Sequence, residues 1–260
     1  MKRRNIIALA CAFSLFLLSA SSSTVFAHSG ELSWFCIRSG SRQPPITKEE
    51  KLINKYGAVS LDRNVNDNSE RKVIYLTFDA GYANENVSKI LDALNDGCAT
   101  GAFFILDNII LKNPEIVTRM ANEGHLVCNH TRNHKNLVKA SREEIYESVS
   151  SLERIYAEST GLTMEKFFRF PEGRYSEEAL SVLNELGYKT VFWSFAYDDW
   201  DNARQPKSDL AIQKILNNTH NGAIFLFHPT SKTNAEIFPT LIEEWRAMGY
   251  EFGNLKDIKV

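Results

Sequence analysis

From Val73 onward, short apolar runs alternate with longer stretches in which apolar residues recur at helical spacing. The short runs predict buried strands and the longer stretches predict amphipathic helices. The predicted strands are 73–78, 100–105, 126–128, 167–170, 190–194 and 223–227. The predicted helices are 87–95, 114–123, 142–158, 177–186, 209–217 and 235–248. Repeated strand–helix units without a dinucleotide-binding glycine motif favour a parallel sheet in a closed or nearly closed α/β barrel.

A basic and apolar segment opens the chain. Lys2, Arg3 and Arg4 lead into an apolar run over residues 6–18, and small residues follow up to Ala27. This pattern is typical of a secretory signal peptide. Because a membrane span needs about 20 apolar residues, we expect cleavage after Ala27, with retention as an N-terminal anchor as the alternative. Both outcomes predict a secreted or extracytoplasmic protein.

Residues 28–70 differ from the rest of the chain because they contain few apolar periodic runs and end in a polar stretch at 62–69. We interpret them as an N-terminal extension and linker that precedes one domain spanning residues 71–260. Within the extension, residues 47–56 predict a short helix with Thr47 as its N-cap and Glu50 as the capping-box partner.

Composition limits the possible partners and the role of cysteine. The 260 residues carry a formal net charge of −2, which gives no basic face for nucleic acid. Cys36, Cys98 and Cys128 follow Ala27, an odd number without the spacing of a disulfide framework or a thiolate metal site. Because Cys98 and Cys128 adjoin apolar runs, we expect them to be buried free thiols. We expect a monomer without an obligate protein partner.

Polar residues with catalytic chemistry follow several predicted strands. They are Asp79, His130 with His134, Arg169, Asp198–Trp200 and His228. Because the loops after parallel strands carry the chemistry of α/β folds, we expect an active site centred on Asp79. Taken alone, Asp79 would be an ordinary turn residue before Gly81. The isolated His125 and His220 are expected to be structural.

Two of these residues, His130 and His134, stand four positions apart. On a helical turn this spacing places both imidazoles on one side, where they can share a metal ion. The alternative is a pair of solvated loop histidines that never contact a metal.

Five ordered motifs resemble those of the NodB-like polysaccharide deacetylases, carbohydrate esterase family 4. They are Thr77 to Gly81, His130 to His134, Arg169 to Gly173, Asp199–Trp200, and Phe225 to His228. Within that family the chain is most similar to the spore-cortex N-acetylmuramic acid deacetylases, which act before muramic δ-lactam formation. The resemblance implies a distorted (β/α) barrel with about seven strands instead of eight. It also implies hydrolysis of N-acetyl groups on the glycan strands of peptidoglycan.

The resemblance assigns a role to each catalytic candidate. Asp79 is expected to be the general base, and His228, at the opposite strand exit, the general acid. Arg169 is expected to orient Asp79, and Asp199 to keep His228 protonated. These roles suit amide hydrolysis, which needs an activated water, a stabilised oxyanion and an acid for the departing amine. For Arg169 and Asp199 the alternative is ordinary surface ion pairs.

A divalent metal ion, with zinc favoured, is expected on His130 and His134, where it would polarise the acetyl carbonyl. One position departs from the family. The family usually has a second aspartate after the base as a third ligand, and this chain has Ala80 there. Because a catalytic zinc site normally has three protein ligands, we expect weak or substrate-assisted metal binding.

Substrate contacts are expected from residues inside the motif loops. They are Tyr82, Phe170, Pro171, Arg174 and Trp200. A cation would recognise the lactyl carboxylate of muramic acid, and Arg174 and Arg132 are the candidates. Trp200 and Phe170 either stack on sugars or belong to the core.

Three functions stay open: a muramic acid deacetylase, a deacetylase of glucosamine-containing glycans or O-acetyl esters, and a catalytically silent glycan-binding protein.

Overall fold

The computed structural model describes residues 30–259, so the expected signal peptide lies outside the described residues. The strands are β1 (Leu32–Ser33), β2 (Lys72–Ala80), β3 (Gly101–Ile105), β4 (Leu126–Asn129), β5 (Glu165–Phe168), β6 (Arg174–Tyr175), β7 (Lys189–Thr190), β8 (Ile224–Phe227) and β9 (Tyr250–Phe252). The α-helices are α1 (Lys48–Asn54), α2 (Glu85–Asp96), α3 (Asp107–Lys112), α4 (Pro114–Asn122), α5 (Arg142–Thr160), α6 (Glu177–Glu185), α7 (Ser208–Leu216) and α8 (Lys232–Ala247). Across residues 30–259, every helix is too short or too polar to cross a bilayer.

Seven strands form one parallel sheet in the order β7-β5-β4-β3-β2-β8, with β9 also paired to β2. All residues of β3, β4 and β8 are buried. Burial on both faces explains why their sequences are continuous apolar runs rather than alternating patterns. The carboxyl ends of these strands meet at one rim, as the sequence pattern predicted.

The sheet curls until its two ends are joined by isolated bridges rather than by a full ladder. Beyond β7, the Ser194 amide donates to the Ile224 carbonyl at 2.9 Å, and the Leu226 amide donates to the Phe195 carbonyl at 2.9 Å. Val59 also bridges to Val191, immediately after β7. The expected α/β fold, a distorted and nearly closed barrel with seven strands, is confirmed.

Aromatic packing fixes the central strand against its helices. Phe78 on β2 stacks on Phe103 of β3, with ring centroids 4.6 Å apart, and contacts Phe227 and Phe238 from β8 and α8. All four side chains are 0% exposed. Burial of each ring stabilises the folded state by about 1.5–3 kcal/mol. The carboxyl end of β2, which carries Asp79, is therefore held firmly.

Some short elements were not predicted. Helix α3 has six residues, and β1, β6 and β9 have two or three, which is too few to show a hydrophobic period. The expected burial of Cys98 is wrong: it lies in the turn after α2, with φ of 44°, and is exposed. Cys128 on β4 is buried, as expected.

The N-terminal extension is not a free linker, because it packs on the barrel. Strand β1 pairs antiparallel with β6, and the Trp34 indole lies 4.9 Å from the Phe192 ring and donates from Nε1 to the Trp193 carbonyl at 2.8 Å. Thr47 caps α1, as predicted. Its expected box partner Glu50 instead forms two 2.7 Å hydrogen bonds with Arg63.

We expect Trp34→Ala to lower the free energy of unfolding by about 2 kcal/mol, because it removes a large packed ring and its hydrogen bond. Phe35→Ala is the matched control, since the Phe35 side chain is 58% exposed. Urea unfolding followed by circular dichroism measures both. Equal stability of the two variants would contradict the packing of the extension on the barrel.

Candidate active site

A buried ion pair joins the ends of β2 and β5. Arg169 follows β5, is 0% exposed, and donates from Nη1 to Asp79 Oδ1 at 2.8 Å. Its other nitrogens bond Thr77 Oγ1 at 2.7 Å and the Val191 carbonyl at 3.0 Å. The guanidinium also lies 4.2 Å from the centre of the Phe104 ring. The alternative of a surface ion pair for Arg169 is therefore excluded.

The ion pair sets the charge of the candidate base. Burial would raise the pKa of Asp79, but the charge and hydrogen bond of Arg169, together with the nearby His130 and His228, outweigh burial, and the pKa of Asp79 is lowered below its ordinary value. The Asp79 side chain keeps 12% of its surface exposed, which lies toward a cavity. Asp79 is thus an ionised carboxylate at neutral pH with access to a ligand.

His130 follows β4 and faces the same carboxylate. Its Nδ1–H donates to the Arg169 carbonyl at 2.8 Å, which leaves Nε2 with a lone pair 3.5 Å from Asp79 Oδ2. Burial lowers the pKa of His130 to about 4, against the opposing charge of Asp79, so the ring is neutral at neutral pH. Hydrogen bonding at the distal nitrogen is the usual way in which proteins orient a metal-binding histidine.

His134 comes close to His130, but not on a helix as the spacing suggested. The segment is a loop in which Thr131 and His134 have φ of 68° and 60°, and the Asn129 side chain accepts from the Thr131 amide at 3.0 Å. The two imidazole centroids are 5.1 Å apart, with their planes at 76°. A left-handed backbone therefore produces the proximity that a helical turn was expected to give.

A second pair of candidate catalytic residues, His228 and Asp199, lies at the end of β8. His228 Nδ1–H donates to Asp199 Oδ1 at 2.8 Å, and the His228 amide donates to Asp199 Oδ2 at 2.8 Å. The Asp199 side chain is 1% exposed, so it is not a surface ion-pair residue. Burial would lower the pKa of His228, but the hydrogen bond and charge of Asp199 outweigh it and raise this pKa above its ordinary value.

Strand β8 pairs directly with β2, so His228 leaves the strand next to that of Asp79 rather than the opposite one. The expected position of His228 is corrected in this respect. The two lone histidines are structural, as expected. His125 Nδ1 accepts from the Gly101 amide at 3.2 Å, and His220 Nε2 lies 3.0 Å from Ser194 Oγ.

A cavity of about 630 Å³ opens over these residues. Six of the predicted site residues line it: Asp79, Tyr82, His130, His134, Trp200 and His228. Tyr82 and Trp200 are 47% and 59% exposed, so Trp200 belongs to the cleft and not to the core. The cavity thus joins a carboxylate, three imidazoles and two exposed aromatic rings.

Three expected substrate contacts lie elsewhere. Phe170 is 0% exposed and packs between Phe168 and Phe192, so it is a core residue, and Pro171 is buried beside it. Arg174 is exposed outside the cavity wall, where it pairs with Glu172 at 2.9 Å and Glu31 at 3.2 Å. Arg132, the other candidate cation, pairs with Asp107 at 3.0 Å.

The predicted site residues do not cover the whole cavity wall. Leu106, Glu172, Trp193 and Thr230 also line it. Glu172 has a left-handed backbone, with φ of 57°. The Arg169 guanidinium lies over the Trp193 ring, 5.6 Å from the ring centroid. Trp193 follows β7 at the same rim. This position after a strand is the one sequence feature that could have indicated a place in the cavity wall.

The side chains that could bind a divalent ion form an incomplete set of ligands. The His130 lone pair and an Asp79 oxygen are two acceptors facing each other, an arrangement that a cation satisfies, and His134 stands beside them. Ala80 offers no ligand atom, and its methyl group is packed in the main apolar cluster. In the part of the chain that the structure describes, no three His, Cys, Asp or Glu side chains are grouped to hold a metal.

The chain belongs to the polysaccharide deacetylase family, which residues 66–191 match. It is similar to the peptidoglycan-N-acetylmuramic acid deacetylase PdaA of Bacillus subtilis, with 32% identity over 250 residues, 95% of this chain and 93% of that protein. The solved structure of Bacillus subtilis PdaA, a family 4 carbohydrate esterase, matches with a TM-score of 0.81 and 34% identity over 88% of this chain and 96% of that one.

The chain is also similar to a deacetylase that is named for a different sugar. The peptidoglycan-N-acetylglucosamine deacetylase of Bacillus cereus is 35% identical over 186 residues, 70% of this chain and 66% of that protein. Family membership makes the chain a polysaccharide deacetylase with a glycan substrate, and deacetylases of this family depend on a metal ion.

We expect Arg169→Met to lower the free energy of unfolding by about 3–5 kcal/mol, because it leaves the Asp79 carboxylate without its cation. The same substitution at the exposed Arg174 should cost less than about 1 kcal/mol. Chemical denaturation of both variants at neutral pH tests the difference. Comparable losses would show that the Arg169–Asp79 pair is no stronger than a surface ion pair.

Proposed function

We propose that this protein hydrolyses the N-acetyl group of N-acetylmuramic acid residues in peptidoglycan. The observation that carries the proposal is that one cavity contains two groups whose pKa values are shifted in opposite directions. Asp79 is kept ionised by Arg169, and His228 is kept protonated by Asp199. A base and an acid on adjacent strands are what amide hydrolysis needs.

In this mechanism Asp79 accepts a proton from the attacking water through its cavity-facing oxygen. Arg169 holds the carboxylate in place by the 2.8 Å bond to Oδ1 and keeps it ionised until water attacks. Because Asp199 engages Nδ1 of His228, Nε2–H is left to donate to the departing amine. The exposed rings of Tyr82 and Trp200 would pack on the sugar at the mouth of the cleft.

We assign a divalent ion, with zinc favoured, to His130 Nε2 and His134. When bound, it would polarise the acetyl carbonyl and lower the pKa of a coordinated water. His130 is prepared for this role because its bond to the Arg169 carbonyl fixes the tautomer. Ala80 leaves two histidine ligands, so the affinity should be weaker than that of a three-ligand zinc site.

The muramic acid substrate is supported by the similarity to PdaA over nearly the whole of both chains. The alternative substrate is an N-acetylglucosamine glycan, which the Bacillus cereus relative favours. A catalytically silent binder would not require the two buried pairs.

The cellular setting that follows from this substrate is extracytoplasmic. We propose export by the segment ending at Ala27, action of the monomer on peptidoglycan strands, and a contribution to the muramic δ-lactam of spore cortex. Deacetylation frees the amine that the neighbouring lactyl carboxylate needs for ring closure.

Asp79→Asn tests the proposed activity. The substitution removes the base and should lower acetate release from peptide-free peptidoglycan strands by about 10²–10⁴-fold. Binding of the same strands should remain, because the cleft wall is unchanged. Wild-type protein that binds the strands and releases no acetate, with or without zinc, would identify a silent binder instead.

The two pKa shifts predict the pH profile of turnover. Asp79 must be ionised, and its lowered pKa keeps the rate high below the usual carboxylate range. His228 must be protonated, so the rate falls only as pH rises through its raised pKa. Asp199→Asn removes the group that raises this pKa and should move the basic limb of kcat to lower pH. An unmoved basic limb would exclude His228 as the acid.

Zinc titration calorimetry of the chelator-stripped protein tests the metal assignment. His130→Gln and His134→Gln should each weaken zinc binding by about tenfold or more. His220→Gln is the matched control, because His220 is buried against Ser194, outside the cavity. Unchanged zinc affinity in the first two variants would remove these histidines from the site.

A further inference from the structure

Asn234 lies behind the His228–Asp199 pair and contacts both residues. It is 0% exposed, in the first turn of α8, where Ser231 caps the helix and accepts from the Asn234 amide at 3.1 Å. Its side-chain Nδ2 donates to Asp199 Oδ2 at 2.7 Å and to the His228 carbonyl at 3.0 Å. The Asn234 amide group thus holds both the Asp199 carboxylate and the main chain of His228.

The orientation of this amide is fixed by Tyr197. The Tyr197 hydroxyl donates to Asn234 Oδ1. With the amide turned over, its oxygen would face a carboxylate and a carbonyl, so three acceptors would meet without a proton. Burial, together with the charge of Asp199, raises the pKa of Tyr197, so its hydroxyl keeps its proton and remains a donor. The four polar side chains therefore have one consistent arrangement.

Asp199 needs the bond from Asn234 because its carboxylate is buried. Over residues 30–259, the only cationic side chain paired with Asp199 is His228. Two of its three donors come from His228 itself, and Asn234 supplies the third. Without Asn234, Asp199 Oδ2 would keep only the His228 amide as a donor, and the under-bonded buried carboxylate could rotate towards another partner. Rotation would break the alignment of Oδ1 with His228 Nδ1.

We propose that Asn234 is a positioning residue for the acid step, acting on His228 through Asp199, with Tyr197 fixing the Asn234 amide. The inference rests on the proposed role of His228 as the acid. It explains why the first turn of α8 is tied to the end of β8: the amide fixes the carboxylate from the side that substrate does not reach. Asp79 and Arg169 also act on His228 electrostatically, from β2 and from the end of β5.

A double-mutant cycle on kcat tests this arrangement. Asn234→Ala should lower kcat by about tenfold or more, with KM changed by less than about threefold, because the loss is in the reacting geometry. In an Asp199→Ala background the same substitution should have almost no further effect, since the residue it acts through is gone. Losses that multiply in the double variant would show that Asn234 is merely structural and overturn the proposal.

Asn86→Ala is the matched control. Asn86 is also a buried asparagine near α8, donating to the Thr230 carbonyl at 2.9 Å, but it does not contact Asp199. Its substitution should affect kcat equally in both backgrounds. Where Asn234→Ala does not fold by circular dichroism, Tyr197→Phe carries the same cycle, because it keeps the packed ring and removes only the hydroxyl that orients the amide.

A measurement without substrate separates this proposal from the proposed function. In the wild type, the hydrogen-bonded Nδ1 proton of His228 should exchange slowly with water and be visible by ¹⁵N-edited NMR. Asn234→Ala or Tyr197→Phe should accelerate the exchange of this proton, and Asn86→Ala should not. A signal unchanged in all three variants would overturn the positioning role, whether or not the wild type releases acetate.

Discussion

The buried guanidinium of Arg169 is the constraint on which the rest of the site depends. A charged group at 0% exposure is tolerated only when its hydrogen bonds are satisfied, and Arg169 reaches the end of β2 and the segment after β7 at once. Its own carbonyl fixes the His130 ring. Strand ends that are separate in sequence are therefore locked into one arrangement by the bonding needs of a single side chain.

In the proposed mechanism, the acid and the base are distinguished by their different neighbours. Both Asp79 and His228 are largely enclosed, and enclosure alone would neutralise each of them. Arg169, together with His130 and His228, reverses that tendency for Asp79, and Asp199 is the main group that reverses it for His228. The two groups thus occupy their active protonation states over the same pH range, which is the arrangement that lets one fold supply both proton transfers. The ionic partners, rather than the catalytic residues alone, define the chemistry.

Much of this architecture is predictable from the sequence because it follows from simple periodicities. Apolar runs locate the strands, and polar residues at their exits locate Asp79, Arg169 and His228 at one rim. Positions that depend on tertiary context were not predictable. Phe170 lies in the same loop motif as Arg169, but its ring packs in the apolar core and does not reach the cavity, and a local pattern does not reveal which aromatic ring faces the core.

Left-handed backbone and distant contacts account for the other differences. The approach of His134 to His130 depends on positive φ angles at Thr131 and His134, which no spacing rule anticipates. The extension docks through single residues such as Trp34, without a periodic pattern. Asn234 has no motif of its own, and its importance appears only when α8 is placed against the end of β8.

The most direct test of the proposed activity is mass spectrometry of peptide-free peptidoglycan strands after incubation with purified protein spanning residues 28–260, with and without zinc. We expect acetyl groups to be lost from muramic acid residues and retained on glucosamine residues. Loss from glucosamine alone would assign the same catalytic site to the other substrate. Intact acetyl groups on both sugars would contradict the assignment of a deacetylase activity to the Asp79 and His228 pairs.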